Sequence, residues 1–303
     1  MRIIITGGTG FVGKHLREEL EKRSYEFVFF SKNQVDLTNK DETFAFFEKH
    51  KDFDIIIHMA SFHGGGSFPA EHPWDQFVVN NRIHLNVLHA WKELLPKAKL
   101  IAVGSSCAYP DKTPPFEEKD YMDGEIHGSV YAYAFTKRLL YTGIKALNDQ
   151  FGTNGSFLIP ATMYGEWDNF SEETGHVCGA LIGKFVKAEK LGLEKVEVWG
   201  DGEQERDFID VKDFVRVLAE LIPKIERDVL NIAPGSPTKI RELAEIIKEA
   251  SGFKGEIFYN KEKYVGVKRK FLSSKKLNEK YGMVLLNNLK ESIKRTVEWY
   301  KNL

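Results

Sequence analysis

Tyr133 and Lys137 are the two residues of this sequence best suited to proton transfer. They fall four positions apart within 130–151, a stretch of helical periodicity, so both side chains lie on one helix face. A phenol titrates near pH ~10, and a nearby ammonium favours the phenolate. The pair can pass a proton to or from a carbonyl or an alcohol, and Ser105 can donate a hydrogen bond to the same oxygen.

A glycine-rich turn, Thr6-Gly7-Gly8-Thr9-Gly10-Phe11-Val12-Gly13, connects a predicted strand at 2–6 to a predicted helix at 11–23. In that context the glycines allow a tight turn and close approach of a pyrophosphate to the helix N-terminus. The turn therefore predicts a dinucleotide, and with the tyrosine–lysine pair it predicts hydride transfer with a nicotinamide cofactor. The expected contacts within the turn are Gly7, Thr9, Gly10, Phe11, Val12 and Gly13.

The end of the second predicted strand, 25–30, bears on the choice of dinucleotide. An acid at this position usually holds the ribose hydroxyls of NAD, but here the chain continues with Ser31 and Lys32. A cation and a hydroxyl suit the 2'-phosphate of NADP, so NADP(H) is favoured. NAD(H) stays open, because the alternative interpretation of Lys32 is a solvated surface lysine. Asp36 and Leu37 are expected to border the adenine.

Short apolar runs at 2–6, 25–30, 54–58, 99–104 and 155–160 alternate with helical patterns at 11–23, 41–51, 74–95 and 130–151. This alternation predicts an α/β fold with a doubly wound parallel Rossmann sheet, whose ligands lie at the carboxyl ends of the strands. We expect a dinucleotide domain at 1–163 with about 208–236, and a smaller C-terminal α/β substrate lobe at 164–207 and 237–303. Further cofactor contacts are expected from Met59, Ala60, Ser61, Pro160 and Met163.

The composition excludes several classes of partner. Lys and Arg number 43 against 44 Asp and Glu, so no strong global field indicates nucleic acid. No apolar run approaches the ~20 residues that span a bilayer. Two cysteines do not form a disulfide framework, which favours a cytoplasmic location. No metal site is expected, because His58, His63 and His72 are irregularly spaced.

These features, in this order, resemble the extended short-chain dehydrogenases/reductases that act on nucleotide sugars, most closely the GDP-L-fucose synthase family. The resemblance covers essentially the whole chain. The motifs that carry it are the turn at 6–13, Asn80 with Asn86, Tyr133 with Lys137, and the segments 104–110, 164–170, 176–177, 198–200 and 206–213.

The resemblance implies roles for individual residues. Ser105, Tyr133 and Lys137 would form the reductase triad, and Cys107 and His176 would exchange protons during epimerisation. A thiol and an imidazole suit that task because both titrate near neutrality. Asn80 would contact the cofactor, and the residues expected to contact the substrate are Ser106, Cys107, Val177, Lys184, Trp199 and Arg206.

The predicted activity is NADP(H)-dependent C4 reduction of a GDP-4-keto sugar, with C3/C5 epimerisation, by a homodimer. The alternatives are a simple C4 reductase or dehydrogenase, or a C4 epimerase, on a related nucleotide sugar such as a GDP-linked deoxysugar or heptose. A third hypothesis is a sensor or scaffold that binds the dinucleotide without turnover. Glu166 stands where the family usually has a proline, a change expected to touch the substrate pocket.

Overall fold

A computed structural model describes residues 1–263, 266–286 and 288–303 of the chain. Its strands are β1 (Arg2–Thr6), β2 (Glu26–Phe29), β3 (Ile55–His58), β4 (Lys99–Val103), β5 (Asn154–Pro160), β6 (Thr162–Tyr164), β7 (Lys195–Trp199), β8 (Glu205–Arg206), β9 (Phe208–Asp210), β10 (Val229–Ile232), β11 (Thr238–Lys239), β12 (Glu256–Asn260) and β13 (Arg269–Lys270). Its helices are α1 (Phe11–Lys22), α2 (Lys40–Lys49), α3 (Phe68–Glu71), α4 (Pro73–Leu94), α5 (Tyr131–Phe151), α6 (Val177–Leu191), α7 (Val211–Leu221), α8 (Ile240–Ser251), α9 (Lys275–Tyr281) and α10 (Leu289–Lys301).

Six of the described strands form one sheet in the order β2-β1-β3-β4-β5-β10, and every neighbouring pair is parallel. The central strands are apolar throughout, as in Ile3 to Ile5 and Ile55 to Ile57, because helices cover both faces of the sheet. Helix α1 packs against α7, and α4 packs against α2 and α5. The predicted doubly wound Rossmann sheet is confirmed.

Among the residues that the structure describes, buried apolar side chains form two clusters. The larger one surrounds the six-stranded sheet. The smaller one joins α6, β7, α8 and α10 through side chains that include Phe185, Leu243 and Ile293. The second cluster includes Tyr164, the last residue of β6, which begins two positions after strand β5 of the main sheet ends. The substrate half of the chain is therefore attached at the carboxyl edge of the sheet.

The segment after β13 differs from the predicted assignment of 237–303 to the smaller lobe. Leu272, Leu277 and Met283 belong to the larger cluster. Helix α9 lies against the edge strand β10, where Lys276 Nζ donates to Asp228 Oδ1 at 2.5 Å. An edge strand leaves one row of backbone groups open, and α9 covers it.

No helix within the described ranges is long and apolar enough to span a membrane.

Candidate active site

A cavity of about 920 Å³ lies at the carboxyl ends of the central strands. Most predicted site residues line it. They are Gly7, Thr9, Gly10, Phe11, Val12, Gly13, Lys32, Asp36, Leu37, Met59, Ala60, Ser61, Ser105, Ser106, Cys107, Tyr133, Lys137, Pro160, Met163, His176, Val177 and Arg206. Four predicted residues lie outside this lining: Ser31, Asn80, Lys184 and Trp199.

The glycine turn packs too closely for side chains. A Cβ atom on Gly13 would lie 2.3 Å from the carbonyl oxygen of Gly7. The Gly10 N–H donates to the same oxygen at 3.1 Å, which closes the turn. Gly10 is the N-cap of α1 and brings no side-chain cap, so the first N–H groups of the helix can bind an anion.

The loop after β2 carries Ser31 and Lys32, the two residues predicted to bind the 2'-phosphate. Lys32 is exposed and borders the cavity. Ser31 is instead occupied locally: its N–H and its hydroxyl both donate to Gln34 Oε1, at 2.9 and 3.0 Å. Asp36 accepts from the backbone N–H of Thr38, which lowers the pKa of that carboxyl against the effect of burial. The charge of Lys32 lowers the Asp36 pKa further.

The two predicted asparagines support loops of the cavity wall from behind. Asn80 is fully buried, and its Oδ1 accepts from Ser61 Oγ at 3.0 Å and from the Phe62 N–H at 2.8 Å. Asn86 Nδ2 donates to the carbonyl oxygen of Leu37 at 2.9 Å. Asn80 was expected to contact the cofactor, but its amide is occupied by the loop that carries Ser61.

Tyr133 and Lys137 lie side by side on α5, and Lys137 Nζ is 5.8 Å from the centre of the Tyr133 ring. Lys137 Nζ donates to the carbonyl oxygen of Val103, the last residue of β4, at 3.1 Å. Burial lowers the pKa of Lys137 to about 7. Burial raises the pKa of Tyr133, and so does negative charge on Cys107, while hydrogen bonding with Ser61 and Ser105 lowers it.

This balance differs from the expectation that the Lys137 ammonium lowers the pKa of Tyr133. Burial is the largest cause of the pKa shift at both residues, and it disfavours the phenolate as well as the ammonium. Tyr133 is therefore held as a neutral phenol beside Ser61 and Ser105. A neutral phenol suits the donor of a proton to a carbonyl oxygen.

Cys107 lies in a short 3-10 turn, Ser106–Ala108, directly after β4. Its N–H donates to Ser105 Oγ at 3.2 Å, which fixes the two residues relative to each other. Lys270 Nζ lies 3.4 Å from Cys107 Sγ. Burial raises the pKa of the thiol, but Lys270, Ser105 and Arg206 outweigh burial, and the net pKa is lowered.

His176 is the N-cap residue of α6, which brings it to the cavity from the second lobe. The centre of its ring is 5.3 Å from that of His63, and the His63 ring is 5.4 Å from the Tyr133 ring. Burial lowers the pKa of His176 to about 3, and the charges of His63 and Lys270 contribute in the same direction. The imidazole is therefore neutral near pH 7.

The glycine run 64–66 lets two loops pack together. A Cβ atom on Gly65 would lie 2.4 Å from the carbonyl oxygen of Gly175, and the Gly65 N–H donates to Thr174 O at 2.8 Å. This contact joins the loop after β3 to the loop that carries His176. Backbone approach therefore helps to bring the two lobes' catalytic candidates to one cavity.

The predicted diphosphate ligands are divided. Arg206 lines the cavity, and its guanidinium donates to Glu205 O at 2.8 Å. Lys184 lies outside the cavity lining, with Nζ 5.3 Å from the centre of the Trp199 ring and 3.3 Å from Glu197 O. Trp199 is 38% exposed on the second lobe. A role for Lys184 and Trp199 in nucleotide binding stays a prediction.

Glu166 does not face the substrate pocket as expected. Its carboxylate accepts from Lys212 Nζ at 2.6 Å and from Arg295 Nε at 3.0 Å. These ion pairs explain why an acid can occupy this buried position, since a buried carboxylate needs charged partners. Within the described ranges, no three His, Cys, Asp or Glu side chains are grouped so that they could hold a metal ion.

Sequence reasoning missed Lys270 and His63 as residues of the site. Lys270 lies 163 positions from Cys107 and belongs to none of the motifs. His63 was noticed only as a possible metal ligand, whereas its ring lies between those of Tyr133 and His176. Proximity to the predicted strand end at His58 was the only available signal for His63.

A Rossmann sheet, a glycine turn and a buried tyrosine–lysine pair at the same edge define a nicotinamide-dinucleotide-dependent enzyme. The chain belongs to the NAD dependent epimerase/dehydratase family, which matches residues 3–233. It is thus an NAD(P)-dependent enzyme of the extended short-chain dehydrogenase/reductase type.

Three relatives illustrate the range of the similarity. GDP-L-colitose synthase of Yersinia pseudotuberculosis is 31% identical, with 100% of this chain and 98% of that protein covered. A GDP-6-OMe-4-keto-L-xylo-heptose reductase from C. jejuni has a TM-score of 0.91 at 26% identity, covering 99% and 97% of the two chains. A GDP-L-fucose synthetase from Naegleria fowleri bound to NADP has a TM-score of 0.90 at 27% identity, covering 99% and 92%.

Proposed function

We propose that this protein reduces the C4 ketone of a GDP-4-keto sugar with NADPH and epimerises the neighbouring carbons C3 and C5. One observation carries the proposal: a single cavity is lined by Ser105, Tyr133 and Lys137 together with Cys107 and His176. The first three suit proton transfer at a carbonyl oxygen. The last two suit proton exchange at carbons that the same carbonyl acidifies.

NADPH bound in this cavity would supply the hydride that adds to C4. Tyr133 donates its phenolic proton to the carbonyl oxygen, so that the C=O bond becomes C–OH. Ser105 donates a hydrogen bond to the same oxygen and stabilises the negative charge that develops there. The neighbouring Lys137 stabilises the phenolate that remains until a proton is returned from solvent.

In the epimerisation, the Cys107 thiolate removes a proton from a carbon beside the ketone. The C–H bond breaks, an S–H bond forms, and the electron pair moves into an enolate. A proton added from the opposite side inverts the carbon. His176 is neutral in the free site, and the enolate charge next to it favours uptake of a proton from solvent; the resulting imidazolium donates that proton to the carbon and returns to the neutral imidazole.

The choice of NADP(H) is supported by the loop after β2 and by similarity. Lys32 borders the cavity, and the residues 29–35 contain no acid. A lysine binds phosphate as a point charge. The similar GDP-L-fucose synthetase structure contains NADP. Asp36 also lines the cavity, and a carboxylate there could bind the ribose hydroxyls of NAD(H), which stays the second candidate cofactor.

The proposed homodimer is supported by exposed apolar side chains on two helices that pack together. Helices α4 and α5 pack together and expose Trp74, Phe77, Leu85, Tyr131 and Phe135, of which Phe135 is 52% exposed. Large contiguous apolar patches are characteristic of protein interfaces. Phe135→Asp should give a monomer in sedimentation, whereas Phe258→Asp, on an equally exposed phenylalanine of β12, should leave the dimer intact. A monomeric parent protein would contradict the dimer.

The cytoplasmic location stays a prediction from the sequence. Both cysteines, Cys107 and Cys178, are free thiols, as is usual in a reducing compartment.

The central experiment is to mix the protein, NADPH and GDP-4-keto-6-deoxymannose and to follow the absorbance of the reduced nicotinamide. We expect oxidation of the cofactor and a C4-reduced product. GDP-4-keto sugars with other C5 and C6 substituents form the comparison series. No oxidation with any keto nucleotide sugar would refute the proposed reductase.

A simple C4 reductase is the second candidate. The neutral state of His176 favours it, because a neutral imidazole is a poor proton donor until an enolate forms. A reaction in heavy water separates the two candidates. Deuterium at C3 or C5 of the product supports epimerisation, and turnover without deuterium at either carbon supports the simple reductase.

A further inference from the structure

We propose that Lys270 is a positioning residue whose ammonium contacts the sulfur of Cys107 and favours its thiolate form. The inference rests on the proposed function, because it explains how Cys107 can act as a base near pH 7. It assigns a task to a residue that lies in none of the sequence motifs.

The geometry brings Lys270 to the thiol from the far end of the chain. Strand β13 pairs with β8 in parallel, with Lys270 beside Arg206. This pairing brings Lys270 Nζ to 3.4 Å from Cys107 Sγ. An ammonium at that distance from a sulfur is a charge-assisted hydrogen bond that favours the thiolate.

Lys270 has its charge available for this contact. Its neighbour Arg269 pairs with Glu205 at 2.6 Å, whereas none of the ion pairs found within the described residues includes Lys270. The charge of Lys270 also acts on the buried carboxylate of Asp207, which accepts a hydrogen bond from the Leu272 N–H at 2.8 Å. Burial raises the pKa of Asp207 to about 6, so the group is still mostly a carboxylate at pH 7, but among the described residues it forms no ion pair with Lys270.

The other charged and titratable groups around Cys107 come from four elements. Arg206 on β8 contributes a second cation, but its guanidinium donates to the carbonyl oxygens of Glu205, Val267 and Lys268. Ser105 lies on the same turn, Tyr133 on α5, and Tyr121 beyond the Glu118–Asp120 turn. Of the groups that lower the pKa of the Cys107 thiol against the effect of burial, Lys270 has the largest effect.

The consequence concerns proton abstraction. Lys270 favours the thiolate of Cys107, and this thiolate becomes a thiol when it takes the proton from carbon, while Lys270 keeps its own proton. Without the ammonium, burial favours the thiol from the start. A thiol has no free electron pair basic enough to remove the carbon proton, so the first step is lost.

The test measures the thiol and needs no sugar substrate. In a Cys178→Ala background, the rate of alkylation of Cys107 by iodoacetamide is followed from pH 5 to 10, since only the thiolate reacts. We expect Cys107 in Lys270→Met to be alkylated at least about tenfold more slowly at pH 7 than in the parent. The midpoint of the rate against pH should move upward. Lys270→Arg should stay close to the parent, because it retains the cation.

Lys268→Met is the matched control, since Lys268 is an exposed lysine two positions away and its removal should leave the midpoint unchanged. If Lys270→Met unfolds, Lys270→Gln provides a polar replacement, and circular dichroism with NADPH binding verifies the fold of each variant. An unchanged midpoint in a folded Lys270 variant would overturn the inference. Failure of every keto sugar to oxidise NADPH would refute the proposed function and leave this titration unaffected.

Discussion

The cofactor half and the substrate half of the cavity are built in different ways. Cofactor-half candidates follow the ends of neighbouring parallel strands, as Gly7 follows β1 and Met59 follows β3. Substrate-half candidates come from separate parts of the chain: Cys107 from the main sheet, His176 from α6, and Lys270 from β13. A single sheet thus positions the candidates for dinucleotide binding, whereas the candidates for sugar binding are brought together by the packing of the two lobes.

The two halves also differ in how they tune proton transfer. Around Tyr133 and Lys137, burial disfavours charge on both residues and leaves a neutral phenol. Around Cys107, the effects of Lys270, Ser105 and Arg206 together outweigh burial and favour the thiolate. One half is thereby arranged to donate a proton to oxygen, and the other to remove a proton from carbon.

The largest expected effect comes from removing Tyr133, the proton donor of the cofactor half of the cavity. Tyr133→Phe deletes only the hydroxyl, so cofactor binding should persist while kcat for C4 reduction falls by about 10³-fold. Steady-state oxidation of NADPH measures kcat, and fluorescence quenching measures binding. Tyr131→Phe is the control, because Tyr131 lies on the same helix but is 51% exposed. Unchanged turnover in Tyr133→Phe would show that another group donates the proton.

The second prediction removes the base of the substrate half. Cys107→Ser replaces a thiolate by a hydroxyl that stays protonated near pH 7, so exchange of deuterium into the substrate carbons should fall by roughly 10²-fold. Mass spectrometry of the sugar in heavy water gives the exchange rate. NADPH binding should be retained.

Cys178→Ala is the matched thiol control, since Cys178 is fully buried in the smaller core. We expect some loss of stability from the cavity it leaves, with exchange per folded molecule preserved. Equal exchange in Cys107→Ser and the parent would remove Cys107 from the mechanism.

The comparison also explains how far the sequence alone could be interpreted. The turn at Gly13 and the tyrosine–lysine pair are local patterns, and local patterns fix local geometry. Lys270 was missed because only the β13–β8 pairing brings it to Cys107. Glu166 was misinterpreted for the same reason: its partners Lys212 and Arg295 lie 46 and 129 positions away.

The third prediction concerns pH and the buried histidines beneath the cofactor half. His58 accepts from or donates to Thr6 Oγ1 at 2.7 Å and pairs with His84 at 2.8 Å. Burial lowers the pKa of His58 to about 3, from 6.5. The folded state therefore binds fewer protons than the unfolded state between these values, and stability is lost as the pH falls below 6.5.

For this one group the free energy of unfolding should decrease by about 2 kcal/mol between pH 6.5 and pH 5. Urea unfolding at each pH measures the decrease. His58→Asn should reduce the steepness of the loss, while His72→Gln should not, because His72 lies on the surface. Equal steepness in His58→Asn and the parent would mean that His58 is already protonated in the fold.

The smallest expected effect tests the choice of dinucleotide. Lys32→Met removes the one predicted cation of the 2'-phosphate site, and exposed charge contacts are worth about 1 kcal/mol. The KM for NADPH should rise roughly fivefold, with kcat and the KM for NADH unchanged. Lys22→Met, on the far end of α1, is the control. If the KM values for NADPH and NADH rose in parallel, Lys32 would not contact the 2'-phosphate. The cofactor half would then recognise only the groups that the two dinucleotides share.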